Sequence, residues 1–227
     1  MMFTDRSDAG RRLAERLQHL RTGDVVVLGL PRGGVPVAFE VARALGAPLD
    51  VILVRKLGVP FEPELAMGAV GEGDALVLNE AVLRRAHVGE AQLARIEQRA
   101  RTEIARRARL FRGDRPRLPL AGRTAVLVDD GVATGATARA ACRVVRAQGA
   151  ARVVLAVPVC APDSAAELRG EVDELVCLEA PERFVSVGRA YADFPQVPDD
   201  VVVDLLRAGG EPPGRDDDVG VSTGPAR

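Results

Sequence analysis

Short apolar runs recur along the chain, and helical patterns separate most of them. Runs rich in valine, leucine and isoleucine occupy residues 25–30, 49–54, 125–128, 153–157 and 175–178. Such runs are typical of strands that are buried on both faces of a parallel sheet. Apolar residues at helical spacing follow or precede them over residues 8–20, 35–45, 136–148, 162–170 and 198–206. The alternation predicts an α/β fold, a doubly wound and mostly parallel sheet of about five strands.

The chain is expected to form a single domain over residues 1–208 with one helical insertion. Residues 79–112 form this insertion, which Gly89 interrupts and whose longer helix spans residues 90–109. Its many arginines suit either an RNA-binding surface or a solvated face that also packs on a second subunit, and the interspersed glutamates favour the solvated face. Residues 209–227 are rich in glycine, proline and aspartate, which predicts a disordered tail.

Composition narrows the class of protein without identifying it. A formal net charge of −1 in 227 residues gives no overall reason to expect nucleic-acid or membrane binding. The three cysteines form no Cys-x-x-Cys pair and are interpreted as small core residues in a reducing compartment. Neither a secretory signal nor an apolar run of about 18 residues is present, so we expect a cytoplasmic protein.

Two adjacent carboxylates mark the most informative stretch. Asp129 and Asp130 directly follow the apolar run at residues 125–128, where ligands of open α/β sheets bind. A turn of small and hydroxyl residues then leads into a helix whose first N–H groups can bind an anion. A ligand with both a phosphate and hydroxyl groups, or a metal, would use both features. Solvated acids in an ordinary α/β protein are the alternative. An NTPase would need a G-x-x-x-x-G-K-[ST] loop, and the single lysine, Lys56, is not in one.

The sequence VLVDDGVATGAT at residues 126–137 resembles the phosphoribosyl-pyrophosphate (PRPP) signature of type I phosphoribosyltransferases. The resemblance implies that Asp129 and Asp130 hold the ribose hydroxyls as catalytic residues. It implies a cradle for the 5′-phosphate, formed by Ala133, Thr134, Gly135, Ala136 and Thr137. It also implies Mg²⁺ as cofactor and a small hood over the acceptor. A homodimer is expected because dimers are the commonest oligomers, and the near-neutral charge gives no reason to expect a membrane or nucleic-acid partner.

A second turn of this kind follows the first apolar run. The residues LPRGG, 30–34, lack the G-x-G-x-x-G spacing of dinucleotide sites and could form an ordinary βα loop. They are similar to the pyrophosphate loop of the family, which implies pyrophosphate binding by Arg32 and Gly33 and a cis peptide entering Arg32. Arg55 and Lys56 end the run at residues 49–54, either as a solvated strand end or as further pyrophosphate ligands. Arg32 and Lys56 are the expected catalytic cations.

Two further segments have counterparts in the family. Residues 57–73 are expected to form a loop that leads into short strands at 65–70 and 75–78, and by resemblance a mobile lid to which Glu64 contributes. Residues 180–197 gather three aromatic rings, either as a core cluster or as the hood. The resemblance implies that Phe184 stacks on a nucleobase, that the Val185 backbone contacts its edge, and that Asp193 lies near Mg²⁺. One extra residue between Phe184 and Asp193 weakens the last assignment.

The resemblance as a whole implies a Mg²⁺-dependent pentosyltransferase that moves the phosphoribosyl group of PRPP to a nitrogenous acceptor and releases pyrophosphate. A non-catalytic sensor of PRPP or nucleotides, acting on RNA or a protein partner, is the alternative. Purine-specific members commonly carry an aspartate base at the position of Ala133, and their purine-contacting lysine has no counterpart around residues 157–162. A standard hypoxanthine or guanine acceptor is therefore not expected.

Overall fold

The computed structural model describes residues 2–210, apart from the side chains of residues 63 and 64. Strands and helices are numbered in chain order. A five-stranded sheet forms the centre, with the strand order β2-β1-β6-β7-β8 and parallel pairing throughout. Its members are β1 Val25–Gly29, β2 Leu49–Val51, β6 Thr124–Val128, β7 Arg152–Val159 and β8 Glu174–Glu179. The predicted doubly wound parallel sheet is confirmed.

Helices connect and cover these strands at the predicted places. Their bounds are α1 Arg6–Arg16, α2 Gly34–Leu45, α3 Glu80–Arg85, α4 Glu90–Arg112, α5 Ala136–Ala147, α6 Pro162–Leu168 and α7 Asp199–Gly209. The break between α3 and α4 falls at the expected glycine, since Gly89 is the N-cap of α4. The predicted tail lies almost wholly outside the described residues. Within the described chain, no helix is long and apolar enough to span a membrane.

Alternate residues of each central strand enter different cores, as a two-faced sheet requires. On one face, Val126 and Val128 pack in a cluster with residues of α1, α2 and α7. On the other face, Ala125 and Leu127 pack with residues of α5 and α6. All four side chains are fully buried. The apolar run before the acid pair is therefore fixed from both sides, which leaves little freedom for the residues that follow it.

A separate three-stranded antiparallel sheet forms the hood, so the expectation that residues 180–197 form it was wrong. The prediction for the part of the chain that makes this sheet was also wrong, in two respects. Its strands are β3 Val54–Val59, β4 Glu62–Gly71 and β5 Leu76–Leu78. The run at residues 49–54 divides between β2 and β3, and most of the expected loop at 57–73 is a β-hairpin. Glycine and proline misled the prediction because Gly58 lies at a bulge and Pro60 in the hairpin turn.

The aromatic segment, residues 180–197, contains a short 3-10 helix at Val187–Ala190 and packs on the amino-terminal residues. Phe3 forms a parallel bridge with Tyr191, and their ring centroids are 5.4 Å apart. Phe194 stacks on Tyr191 with centroids 4.8 Å apart. The core-cluster interpretation of these aromatics thus holds in part, because Tyr191 is buried while Phe184 is only partly covered.

The end of α4 is fixed to the rest of the protein by a buried ionic network. Arg112 donates from Nε to Asp50 Oδ1 at 2.6 Å and from Nη2 to the Val51 carbonyl at 2.7 Å. The same guanidinium pairs with Glu72, which follows β4. The backbone N–H of Leu118 also donates to Asp50. One arginine therefore joins the parallel sheet, the hood sheet and the insertion helix.

Candidate active site

The acid pair and the LPRGG loop meet at the carboxyl edge of the parallel sheet. Strands β1 and β6 are neighbours, with Gly29 in register with Val128. The backbone N–H of Leu30 donates to the Val128 carbonyl at 2.8 Å. The peptide bond between Pro31 and Arg32 is cis, as the resemblance implied. Both loops thus begin side by side, which brings the two sequence motifs into one site.

Two glycines allow the loops to touch. A methyl group placed on Gly33 would lie 2.0 Å from Asp130 Oδ2. One placed on Gly34 would lie 2.5 Å from the Val128 carbonyl oxygen and 2.8 Å from the Cα atom of Asp129. Real Cβ atoms do not approach other atoms so closely. The glycines at these positions are therefore required by the acid pair itself, whatever ligand the loop holds.

The two carboxyl groups of the pair are held in different surroundings. Burial and then the neighbouring Asp130 charge raise the pKa of Asp129 well above its ordinary value, although its Oδ1 accepts the Asp130 N–H at 2.9 Å. Burial also raises the pKa of Asp130, and the guanidinium of Arg6 opposes this rise. Arg6 Nε donates to Asp130 Oδ2 at 2.8 Å, with both side chains largely buried. The pair therefore resists ionisation, and Arg6 supplies its counter-charge.

The loop that is expected to hold the 5′-phosphate, residues 133–137, leads directly into α5. Gly135 takes the left-handed conformation at φ 71° and caps α5, so the first N–H groups of that helix face the loop. Val132 bonds to the end of β7 through its N–H, and Ser164 Oγ donates to the Ala133 carbonyl at 2.6 Å. Ala133, Thr134 and Thr137 are exposed. The loop is thus held by hydrogen bonds on its inner side and open on its outer side, an arrangement that suits an anion.

The predicted cations reach the same edge, although not in the predicted way. Arg55 and Lys56 lie in β3 of the hood sheet rather than at the end of a central strand, because the chain leaves the parallel sheet after Val51. They line a cavity together with Pro31 and Thr137, residues of the two loops. Arg32 is half-exposed, and its Nη1 lies 3.7 Å from Asp199 Oδ1 at the start of α7.

The aromatic segment contributes one contact to the site that the sequence did not indicate. The Tyr191 hydroxyl donates to the backbone carbonyl of Asp130 at 2.5 Å. Phe184 packs partly on the aromatic cluster, and Val185 is 73% exposed. Asp193 is exposed, and within the described residues its carboxylate makes no hydrogen bond or ion pair. Base stacking by Phe184 and metal proximity of Asp193 stay predictions.

With this geometry in hand, the comparison with known proteins is decisive. A family model described as a phosphoribosyl transferase domain matches residues 5–192. The chain belongs to the type I phosphoribosyltransferase family. Two Mycobacterium tuberculosis proteins, from strains CDC 1551 and H37Rv and each named a "putative phosphoribosyl transferase", are 54% identical to it over 237 aligned residues. The alignment covers 99% of this chain and 54% of each relative. The chain therefore spans about half the length of these curated relatives.

A solved structure shares the fold of this phosphoribosyltransferase-family chain over nearly its whole length. The crystal structure of TT1426 from Thermus thermophilus superposes with a TM-score of 0.86 and 48% sequence identity. The superposition covers 93% of this chain and 100% of the Thermus chain. Both the parallel sheet and its additions are thus part of a fold found in a second protein.

The carboxylates suit the metal that the phosphoribosyltransferase family implies. Magnesium prefers hard oxygen ligands and is commonly held by one or two carboxylates together with substrate phosphates. Asp129 and Asp130 offer such oxygens, although Arg6 already occupies Oδ2 of Asp130. The described residues contain no cluster of three or more potential metal ligands. The donor set therefore fits a magnesium ion that is held jointly with the diphosphate of the substrate.

Sequence reasoning missed Arg6, Tyr191 and Ser164 as members of this phosphoribosyltransferase site. Arg6 is 124 positions from Asp130, and Tyr191 is 61 positions from it. Neither stands in a motif, and arginine is abundant throughout the chain. The gathering of aromatics at residues 184–194 was the one available signal. It indicated the segment without indicating which carbonyl Tyr191 would reach.

Proposed function

We propose that the protein transfers the phosphoribosyl group of PRPP to a nitrogen atom of a small, nucleobase-like acceptor and releases pyrophosphate. The observation that carries this proposal is the contact between Gly33 and Asp130, where the LPRGG loop and the acid loop meet. PRPP bears a diphosphate on the anomeric carbon beside a ribose diol. A site for it needs an anion loop directly beside diol-binding carboxylates, and the close approach of these two loops supports that assignment.

The chain's own residues would act mainly by positioning and electrostatics. The acceptor lone pair forms the bond to the anomeric carbon while the bond from that carbon to the diphosphate oxygen breaks and its electron pair leaves with pyrophosphate. Asp129 and Asp130 would hold the ribose hydroxyls and stabilise positive charge on the ring. Arg32, Arg55 and Lys56 would stabilise the leaving anion. The α5 N-terminus and its threonines would hold the 5′-phosphate.

Bound magnesium would supply additional charge stabilisation to the leaving diphosphate. Ala133 has no acid–base group, so the side chain at this position cannot take a proton from the acceptor. This favours an acceptor nitrogen whose lone pair is available without deprotonation by that residue. We also propose a cytoplasmic homodimer, for which light scattering after size-exclusion chromatography is the check on oligomeric state.

The test begins with PRPP binding by calorimetry, in the presence of Mg²⁺, followed by a screen of nucleobases and related heterocycles for pyrophosphate release. The experiment compares wild type, Asp129→Asn and Asp130→Asn with a control variant, Asp204→Asn. The Asp204 side chain lies on α7 and is 76% exposed. We expect about tenfold weaker PRPP binding in the first two variants, the effect of losing one charge-assisted hydrogen bond, and no change in the control.

Each outcome has a distinct meaning. Unchanged PRPP affinity in both acid variants would refute the assignment of the diol site. PRPP binding without pyrophosphate release from any acceptor would favour the alternative, a PRPP-sensing regulator. RNA binding by such a regulator would weaken steeply as salt is raised, because each phosphate contact releases counterions.

A further inference from the structure

A cavity of about 540 Å³ separates the insertion helix α4 from the hood sheet and the two loops of the site. Pro31 of the LPRGG loop and Thr137 of the expected phosphate loop line this cavity. Arg55 and Lys56 of β3 line it as well, together with residues of α4. The cavity is therefore continuous with the edge where the diphosphate of PRPP would lie.

The charges of the cavity wall are all of one sign. Arg55, Lys56, Arg99 and Arg107 line it, and no aspartate or glutamate is among the described lining residues. Like charges gathered around a concave surface focus a positive potential and favour an anion. Arginine in particular suits phosphate oxygens, because its planar fork can donate two parallel hydrogen bonds.

The two α4 arginines belong to one face of the helix. Positions 99 and 107 are separated by eight residues, a little over two turns, and Ile96, Ala100 and Ile104 line the cavity from the same face. Glu103, which is not among the lining residues, accepts a hydrogen bond from Arg107 Nε at 3.0 Å and lies 4.0 Å from Arg55 Nη2. The hydrogen bonds from Arg106 and Arg107 lower the pKa of Glu103 to about 2. Within the described residues, Arg99 has no carboxylate partner.

The cavity distinguishes Arg99 from the arginines of α4 that do not line it. Of the arginines that do not line the cavity, Arg101 pairs with Glu97 at 2.7 Å, Arg106 pairs with Glu103 at 2.9 Å, and Arg112 is buried in its own network. Arg99, by contrast, lines a cavity that holds three further cations. Among the described residues, Arg95 and Arg109 of α4 likewise have no carboxylate partner, but neither of them lines the cavity, whereas Arg99 does.

We propose that α4 supplies Arg99 and Arg107 as additional diphosphate-binding residues of the active site. This rests on the proposed transferase function and extends it to the insertion, for which that function had no role. The two guanidinium groups would contact the phosphate oxygens together with Arg55 and Lys56. They would stabilise the negative charge that the leaving group gains as its bond to the sugar breaks. The insertion helix would thereby form the far wall of the leaving-group site.

The test compares Arg99→Gln and Arg107→Gln with Arg95→Gln, a control at a position of the same helix outside the cavity lining. Calorimetry measures the binding of PRPP, of inorganic pyrophosphate and of ribose 5-phosphate, each with Mg²⁺. Arg99→Gln is expected to weaken PRPP and pyrophosphate about tenfold, and ribose 5-phosphate less than about twofold. Circular dichroism verifies that α4 is intact in every variant.

The proposal is overturned if Arg99→Gln and Arg107→Gln bind pyrophosphate as tightly as Arg95→Gln does. It is also overturned if ribose 5-phosphate binding falls as much as pyrophosphate binding, since the arginines would then act on the whole site. Failure of the wild-type protein to bind PRPP would instead refute the transferase function. The pyrophosphate measurement then still decides the role of the arginines, because it requires no sugar and no acceptor.

Discussion

Arg6 donates from Nε to Asp130 Oδ2 at 2.8 Å and thereby links the first helix to the acid pair of the site. Its Nη1 donates to the Pro195 carbonyl at 2.8 Å, and its guanidinium lies 3.8 Å from the centroid of the Phe194 ring. One side chain thus connects the amino-terminal helix, the aromatic segment and the loop that carries the acid pair. Because both partners are largely buried, the pair is screened little by salt.

Replacing Arg6 should make ligand binding more sensitive to acid. In Arg6→Gln, the buried Asp130 loses its counter-charge, so the pKa of its carboxyl rises further above the ordinary value. A carboxyl with a raised pKa is protonated over a wider range as the pH falls. We expect PRPP affinity to fall about tenfold more at pH 6 than at pH 8.5, relative to wild type. Calorimetric titrations at the two pH values measure this difference.

Arg11→Gln serves as the matched control, since Arg11 is on the same helix, is 54% exposed and lies 4.0 Å from its partner Asp8. The protonation of PRPP itself affects wild type and both variants equally and cancels in the comparison. Equal pH dependence in all three proteins would show that Arg6 does not govern the Asp130 carboxyl. Arg6→Lys should restore part of the lost affinity at low pH, because it keeps the charge.

Asp129→Asn should stabilise the fold at neutral pH while impairing the site. Burial raises the folded-state pKa of Asp129 well above its ordinary value, so ionisation favours the unfolded state as the pH passes about 4. In the wild-type protein, the destabilisation caused by ionised Asp129 is absent below that pH and complete above the folded-state pKa. We expect Tm to rise by about 2–4 °C at pH 8, as about 1 kcal/mol would produce, and to stay unchanged at pH 3. A variant less stable than wild type at pH 8 would contradict this account.

Gly34→Ala should disturb both stability and binding. The added methyl group would meet the Val128 carbonyl oxygen and the Asp129 Cα atom, both of which are backbone atoms that cannot rotate away. We expect a loss of about 1–3 kcal/mol in the free energy of unfolding, together with weaker PRPP binding. In the control, Gly170→Ala, the nearest atom would lie at an ordinary 3.5 Å. If urea denaturation gives the two variants the same free energy of unfolding, the loops are not tightly packed.

Arg112→Met should destabilise the fold severely. It would leave the buried Asp50 carboxylate, which is 6% exposed, without its cation. Removing one partner of a buried pair costs about 3–5 kcal/mol, whereas the exposed Arg106→Met should cost less than about 1 kcal/mol. Urea titrations followed by far-UV circular dichroism compare the two. Similar losses in both variants would mean that the network does not hold α4 in place.

Local patterns were sufficient for most of the fold and for the loops of the site. The apolar run before Asp129 predicted β6, and the glycine turn after β1 predicted the loop beside it. Both predictions depend on interactions between near neighbours in the chain, since strand burial, turn conformation and helix starts follow from a few adjacent residues. The same reliance on near neighbours failed at residues 57–73. There a bulge and a turn in a paired hairpin have the composition of a loop.

The sequence by itself determined that an acid pair, an anion cradle and a pyrophosphate-like loop would lie at the ends of buried parallel strands. Only the tertiary structure decided that Arg6 from the first helix and Arg99 and Arg107 from the insertion gather around these loops. It also decided that Arg55 and Lys56, which the sequence had indicated, reach them from the hood sheet. Their positions depend on packing between segments far apart in the chain. An arginine-rich sequence does not show which guanidinium is directed to a buried carboxylate and which to solvent, because that choice is made by long-range contacts and burial.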